Sequence, residues 1–119
     1  MADRDGIRLL VFGGRYYSDR ARVWRMLDGI HAKHGIAVVI EGRCPYGGAD
    51  LHAQEWAENR GVPNKGFPMV GRAGPARNSR MLAEGKPTHA LGFPGNRGTA
   101  DMAAKAIAAL GAERVHQVR

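Results

Sequence analysis

A single cysteine, Cys44, stands in the 119-residue chain. Alone it forms no intramolecular disulfide and no cysteine-based metal cluster, which fits a reducing compartment. No stretch approaches the roughly 20 apolar residues of a transmembrane helix. The opening residues, Met1 to Gly6, lack the apolar core of a signal peptide. A cytoplasmic location without membrane contact is therefore expected. Repeats, low-complexity tracts and linkers are also missing, so residues 1–119 are expected to form one domain. A domain of this size buries a core without metal or disulfide staples. Two common phosphate signatures are absent: no Gly-x-Gly-x-x-Gly follows the first strand, and no Walker Gly-Lys-Ser/Thr occurs. His31 and His34 share a helix with no carboxylate or cysteine set around them, and His52, His89 and His116 are scattered. No metal site and no cofactor are expected.

What is plentiful is positive charge. Lysine and arginine number 18 against 11 acidic residues, a formal net charge of +7. Most of the basic residues are arginine, whose planar fork suits phosphate and carboxylate. A basic balance fits nucleic-acid binding or plain solubility equally well, so placement matters more than number.

Residues 7–12 read as a short buried strand ended by Gly13 and Gly14. A helix over 19–34 follows, with Ser18 or Asp19 as N-cap, Val23, Leu27, Ile30 and His34 on its inner face, and Gly35 as its stop. Residues 36–41 form a second β-rich run, and 49–60 a second helix with Ala49, Ala53, Trp56 and Ala57 at core spacing. A weaker strand is predicted at 63–67, a helix opening on Pro75 at 75–84, and a strand at 88–93. An alanine-rich helix at 99–110 and a last strand at 113–118 complete the chain. Strict alternation of strands and helices predicts an α/β fold with a parallel sheet covered on both faces. The expectation is a Rossmann-like three-layer sandwich, about five-stranded, in the order 3-2-1-4-5, with right-handed crossovers. Strands 1 and 4 then flank the switch point where such sheets open a ligand crevice.

Four loops leave the carboxyl ends of these strands. They carry Gly13, Gly14 and Arg15; Gly42 and Arg43, then Gly47, Gly48, Ala49 and Asp50; Gly71 through Arg77 and Asn78; and Pro94, Gly95, Asn96, Arg97, Gly98 and Thr99. Each holds glycine and arginine, and all four project from one edge. Glycine lets backbone amides approach an anion, helix N-termini offer unpaired N–H groups, and Thr99 adds a hydroxyl. Together they describe a phosphate site.

The same segments resemble the SLOG superfamily, in its YspA/YpsA-related branch. The likeness rests on Gly13-Gly14-Arg15-Tyr16, on Gly47-Gly48-Ala49-Asp50 through Trp56-Ala57, on Ala73-Gly74-Pro75-Ala76-Arg77-Asn78 with Met81-Leu82, and on Phe93-Pro94-Gly95-Asn96-Arg97-Gly98-Thr99-Ala100-Asp101-Met102. It implies a Rossmann-like fold that binds nucleotides or nucleotide-derived ligands. Relatives include the Lonely Guy phosphoribohydrolases, which release the base from a nucleoside 5′-monophosphate, and the single-stranded DNA binder DNA-processing protein A. Against the Lonely Guy pattern Pro-Gly-Gly-x-Gly-Thr-x-x-Glu, Pro94, Gly95, Gly98 and Thr99 match. Asn96 replaces the second glycine, and Met102 stands in place of the glutamate with Asp101 one position earlier. Arg77 is the counterpart of those enzymes' catalytic arginine. Relatives often dimerise, so a homodimer is a further expectation, with Trp24 as an interface anchor or a core residue.

Three readings follow. The first is a binding or sensing module for a nucleotide derivative, contacting Gly13, Gly14, Arg15, Gly48, Asp50, Arg77, Asn78 and the segment Pro94 to Thr99. The second is hydrolysis of an N-glycosidic bond. That reaction passes through an oxocarbenium-like sugar and needs a carboxylate beside a phosphate anchor; Arg77 and Asp101 are the catalytic candidates, with Asp50 and Glu41 at the same edge. The third and weaker reading is single-stranded nucleic-acid binding, which predicts steep salt dependence. Asp101 also has a plain role open to it as an i,i+4 partner of Lys105, and Asp50 as a first-turn acid. Tyr16 and Tyr17 either stack on a base or cover the sheet edge.

Overall fold

The computed structural model describes residues 6–44, 47–71 and 73–119. Five strands alternate with four helices: β1 (Ile7–Phe12), α1 (Arg20–His34), β2 (Ile36–Glu41), α2 (Gly48–Arg60), β3 (Asn64–Gly66), α3 (Gly74–Gly85), β4 (His89–Gly92), α4 (Arg97–Leu110) and β5 (Val115–Gln117). The strands form one sheet in the order β3-β2-β1-β4-β5, and every pairing is parallel. This is the predicted three-layer α/β sandwich and the predicted strand order. Among the described residues no helix is long and apolar enough to cross a membrane.

The period-2 alternation of β1 divides the core. Leu9 and Val11 face one side of the sheet, where Val23 and Leu27 of α1 meet Ala53 and Trp56 of α2. Leu10 and Phe12 face the other, against Met81 of α3 and Met102, Ala103 and Ala106 of α4. Both faces of β1 and β2 are thus covered, which explains the apolar runs Leu9–Phe12 and Ile36–Ile40. Trp56, fully buried, donates its indole N–H to Asp28 of α1 at 2.8 Å. Hydrogen bonds from Arg60 first, and then from Trp56, hold the Asp28 carboxyl below the usual carboxylate range.

Several boundaries and one face differ from expectation. Asp19 is the N-cap of α1, its side chain accepting from the Arg22 N–H at 3.0 Å. His34 is exposed, the last residue of α1 beside the Gly35 cap. His31 does the inward work instead: its Nδ1 accepts from the Ile36 N–H at 2.9 Å and its ring meets Trp56 edge-on. Helices α2, α3 and α4 start at Gly48, Gly74 and Arg97, one or two residues before the predicted points. The edge strands are short. Pro63 cannot donate to a ladder, so β3 begins at Asn64, and a 3-10 turn at Ala112–Arg114 delays β5 to Val115.

Candidate functional site

β1 lies between β2 and β4, and the connections from these two neighbours depart to opposite sides. At that switch point, on the α3/α4 side of the sheet edge, opens a cleft of about 620 Å³. Its walls come from all four predicted loops: Gly13, Gly14 and Arg15 after β1; Gly42, Arg43 and Cys44 after β2, with Asp50 from α2; Pro68, Met69 and Gly71 after β3, with Gly74, Arg77 and Asn78 from α3; and Asn96, Gly98 and Thr99 after β4. Phe12, Met81 and Met102 extend the core into its floor. These apolar members carry no sequence signal that separates them from ordinary core residues.

Glycine packs the loops as much as it opens them. Gly48 has φ +79, and a Cβ there would stand 2.3 Å from the Gly14 carbonyl oxygen. The Gly14 N–H donates to the Pro94 oxygen at 3.0 Å, and the Gly14 oxygen accepts from Ala49 at 3.3 Å. The loops after β1, β2 and β4 are therefore fastened to one another through backbone. Gly42 has a different task. A Cβ there would stand 2.2 Å from Arg77 Nη1 and 2.8 Å from Asp50 Oδ2, so the absent side chain is the seat of that arginine.

Helices α3 and α4 begin at the cleft without a side-chain cap, at Ala73 and Asn96, and α2, likewise uncapped at Gly47, begins behind it. Their first-turn N–H groups lack the capping that Asp19 gives α1. Three arginines join them. Arg77 is held at both ends: Nη1 donates to the Gly42 oxygen at 2.8 Å and Nε to Asn78 Oδ1 at 3.0 Å. Asn78, almost fully buried, donates in turn to Asp101 Oδ2 at 3.0 Å and to the Gly98 oxygen at 3.3 Å. Arg43, at φ +52, is one of two non-glycine residues in the left-handed region among those described, a strain that needs support from its surroundings. Glu41 gives it, accepting from the Arg43 N–H at 2.5 Å.

Two carboxylates lie beneath these cations. Glu41 is wholly buried, and its second oxygen accepts from Asn64 Nδ2 at 2.9 Å. Burial raises its pKa against the pull of Arg43 and Arg77. Asp50, 8 % exposed, faces the cleft. Loss of solvent pushes its pKa to about 7, with Glu41 adding to the rise, while Arg77 and a hydrogen bond from the Gly42 N–H oppose it.

Of the residues singled out in the sequence, Gly13, Gly14, Arg15, Asp50, Arg77, Asn78, Asn96, Gly98 and Thr99 meet in this one cleft. Gly48 lies behind it in the packing of the loops. Pro94 and Gly95 line a separate, smaller hollow of about 230 Å³, shared with Asn96, Thr99 and Gln117. Arg97 is exposed at the first residue of α4. Asp101 lies outside the cleft lining, bonded to Asn78 and paired with Lys105 Nζ at 3.0 Å; these two contacts, Asn78 first, lower its pKa. Arg72 falls outside the described residues. Tyr16 is exposed beneath the Arg15 guanidinium, whereas Tyr17 packs on Phe93. Trp24 is half-buried, donating to the His52 oxygen, with Arg20 and Arg60 over its ring.

A family model described as YAcAr, the YspA, cpYpsA-related SLOG family, matches residues 7–69. That span runs from β1 to the loop after β3 and includes Gly13, Gly14, Gly48 and Asp50. Searches of curated proteins and of solved structures returned no match.

Proposed function

The chain belongs to the YspA, cpYpsA-related SLOG family, and from that premise we propose that its cleft is a binding or sensing site for a nucleotide or nucleotide-derived ligand. The observation that carries this reading is the convergence of four loops and two helix N-termini without side-chain caps, those of α3 and α4, on one cleft lined by Arg15, Arg43 and Arg77. The N-termini of α3 and α4 and the guanidinium forks both favour phosphate, and the apolar floor at Phe12, Met81 and Met102 suits the less polar part of such a ligand. Native mass spectrometry with nucleoside monophosphates, ADP-ribose, NAD and cyclic nucleotides tests it. The expected result is an intact complex with at least one of these, lost in Arg77→Ala. No complex with any phosphate ester counts against the reading.

One observation favours a second reading, cleavage of an N-glycosidic bond. Asp50 is a buried carboxyl facing the cleft with a pKa of about 7, the range of an effective general base. In that reaction water attacks C1′, Asp50 takes its proton, and the C–N bond breaks as the base departs. Arg77 anchors the phosphate. Asp101 acts through Asn78, holding the amide that holds the guanidinium. Free base accumulating with time, and abolished in Asp50→Asn, is the expected result.

A further inference from the structure

The two buried carboxylates are not equivalent. Glu41 is enclosed and satisfied by the Arg43 N–H and Asn64 Nδ2. Asp50 faces the open cleft, more than nine-tenths buried, and the Gly42 N–H is the hydrogen-bonding influence that pulls its pKa down. A carboxylate offers about four acceptor sites, more than one N–H fills. Arg77 directs its Nη1 and Nε elsewhere, to the Gly42 oxygen and to Asn78. A preference of acidic residues for a helix's first turn is met as well by an exposed carboxylate, and does not account for the burial of Asp50 at the cleft.

We propose that Asp50 accepts hydrogen bonds from sugar hydroxyls of the ligand, so that the cleft selects a ribose phosphate with its 2′- and 3′-hydroxyls free. The inference rests on the proposed binding function and narrows it to the sugar. The remaining cleft chemistry agrees. With Arg15, Arg43 and Arg77 on its walls, the cleft opposes a cationic donor, and the described residues contain no cluster of metal ligands. A neutral hydroxyl meets the carboxylate without that repulsion. The phosphate of the same molecule meets the guanidinium groups and helix N-termini, and the cleft lining also holds the uncharged Cys44 and Met69.

Isothermal titration at pH 8 tests this with AMP, 2′,3′-dideoxy-AMP, ribose 5-phosphate and 2-deoxyribose 5-phosphate, on the wild type, Asp50→Ala and Asp50→Asn. Removing hydroxyls that donate to a carboxylate is expected to weaken wild-type binding by about 10- to 100-fold. In Asp50→Ala the two nucleotides should bind alike, and Asp50→Asn, which keeps one acceptor oxygen, should restore part of the discrimination. Equal binding of AMP and its dideoxy form to the wild type overturns the inference and leaves the nucleotide reading intact. Hydroxyl-dependent binding of ribose 5-phosphate without binding of AMP supports the inference and counts against AMP as the ligand. Failure of all four ligands to bind overturns the inference, while the wider nucleotide panel still decides the binding function. The wild-type comparison decides the matter even if a variant fails to fold.

Discussion

Gly42→Ala separates the site from the fold. The added Cβ would stand 2.2 Å from Arg77 Nη1 and 2.8 Å from Asp50 Oδ2. Both are distances that real contacts do not reach, so something moves. The obstructing atoms are the far end of an arginine and a carboxylate oxygen, not backbone, and Gly42 is not among the positive-φ residues. The arginine therefore swings out and the strand stays in place. Its charge-assisted bond to the Gly42 oxygen, 2.8 Å long, is lost, at a cost of about 1–2 kcal/mol in stability because the displaced guanidinium reaches water. The anion loses a fixed partner, and affinity for a nucleotide monophosphate should fall about 10- to 100-fold. Gly48→Ala is the contrast. There the Cβ meets the Gly14 backbone oxygen at 2.3 Å in a residue with φ +79, and neither side yields easily. Strain of about 1–3 kcal/mol from the conformation alone is increased by the clash. Urea unfolding and calorimetric titration of both variants give the comparison. Gly42→Ala unfolding as early as Gly48→Ala, or binding as tightly as the wild type, would refute the assignment of Arg77 to this seat.

Three further outcomes follow from the same contacts. Asp50 has a pKa raised from 3.8 to about 7, so the folded protein keeps a proton that the unfolded chain releases; its contribution is greatest below the unfolded value and is lost as pH rises through about 7. Glu41, also raised, acts in the same direction, so the urea midpoint should be lower at pH 8 than at pH 5, and Asp50→Asn should narrow that gap; an unchanged gap contradicts the burial of Asp50. Asn78→Ala removes the partner of Arg77 Nε, Asp101 and the Gly98 oxygen together, and should cost about 1–3 kcal/mol of stability and weaken nucleotide binding, whereas Asp101→Asn should do markedly less of both. Trp56→Ala should cost about 3–5 kcal/mol in urea unfolding, and a loss under about 1 kcal/mol would be at odds with its place in the core between α1 and α2.

Strand order and layers were legible because β1 and β2 are apolar on both faces and glycine or proline punctuates nearly every element. The edges were less so. β3 and β5 pair on one side only and are three residues each, too short for alternation to register. His34 satisfies the helical period of α1 but is exposed at its end, a limit that periodicity does not carry. The cleft's glycine and arginine were visible as composition, but their division of labour was not. Gly48 fastens loops and Gly42 seats an arginine, a distinction made by residues far apart in the chain. Asp101 sits one helical position from a carboxylate pattern, and the structure gives its oxygen to Asn78. Asp50 was legible as a first-turn acid, but its desolvation depends on Gly42, Glu41 and Arg77, which only the fold assembles.

The buried carboxylate bears on function more sharply than the glycine-rich loops do. Glycine and arginine at strand ends serve packing as readily as binding. Desolvating Asp50 opposes folding at neutral pH, and an amide in the same place would accept the Gly42 N–H without that cost. A ligand that binds only the folded state at a hundred times its Kd contributes about 2.7 kcal/mol, enough to offset much of such a penalty. Arg77 lowers the pKa of Asp50 while directing its own N–H groups to Gly42 and Asn78. Donors and acceptor thus stay separately available in one cleft. That separation fits a molecule carrying an anion and hydroxyl donors together, as a ribose phosphate does, and it is poorly suited to a nucleic-acid strand held by phosphates alone.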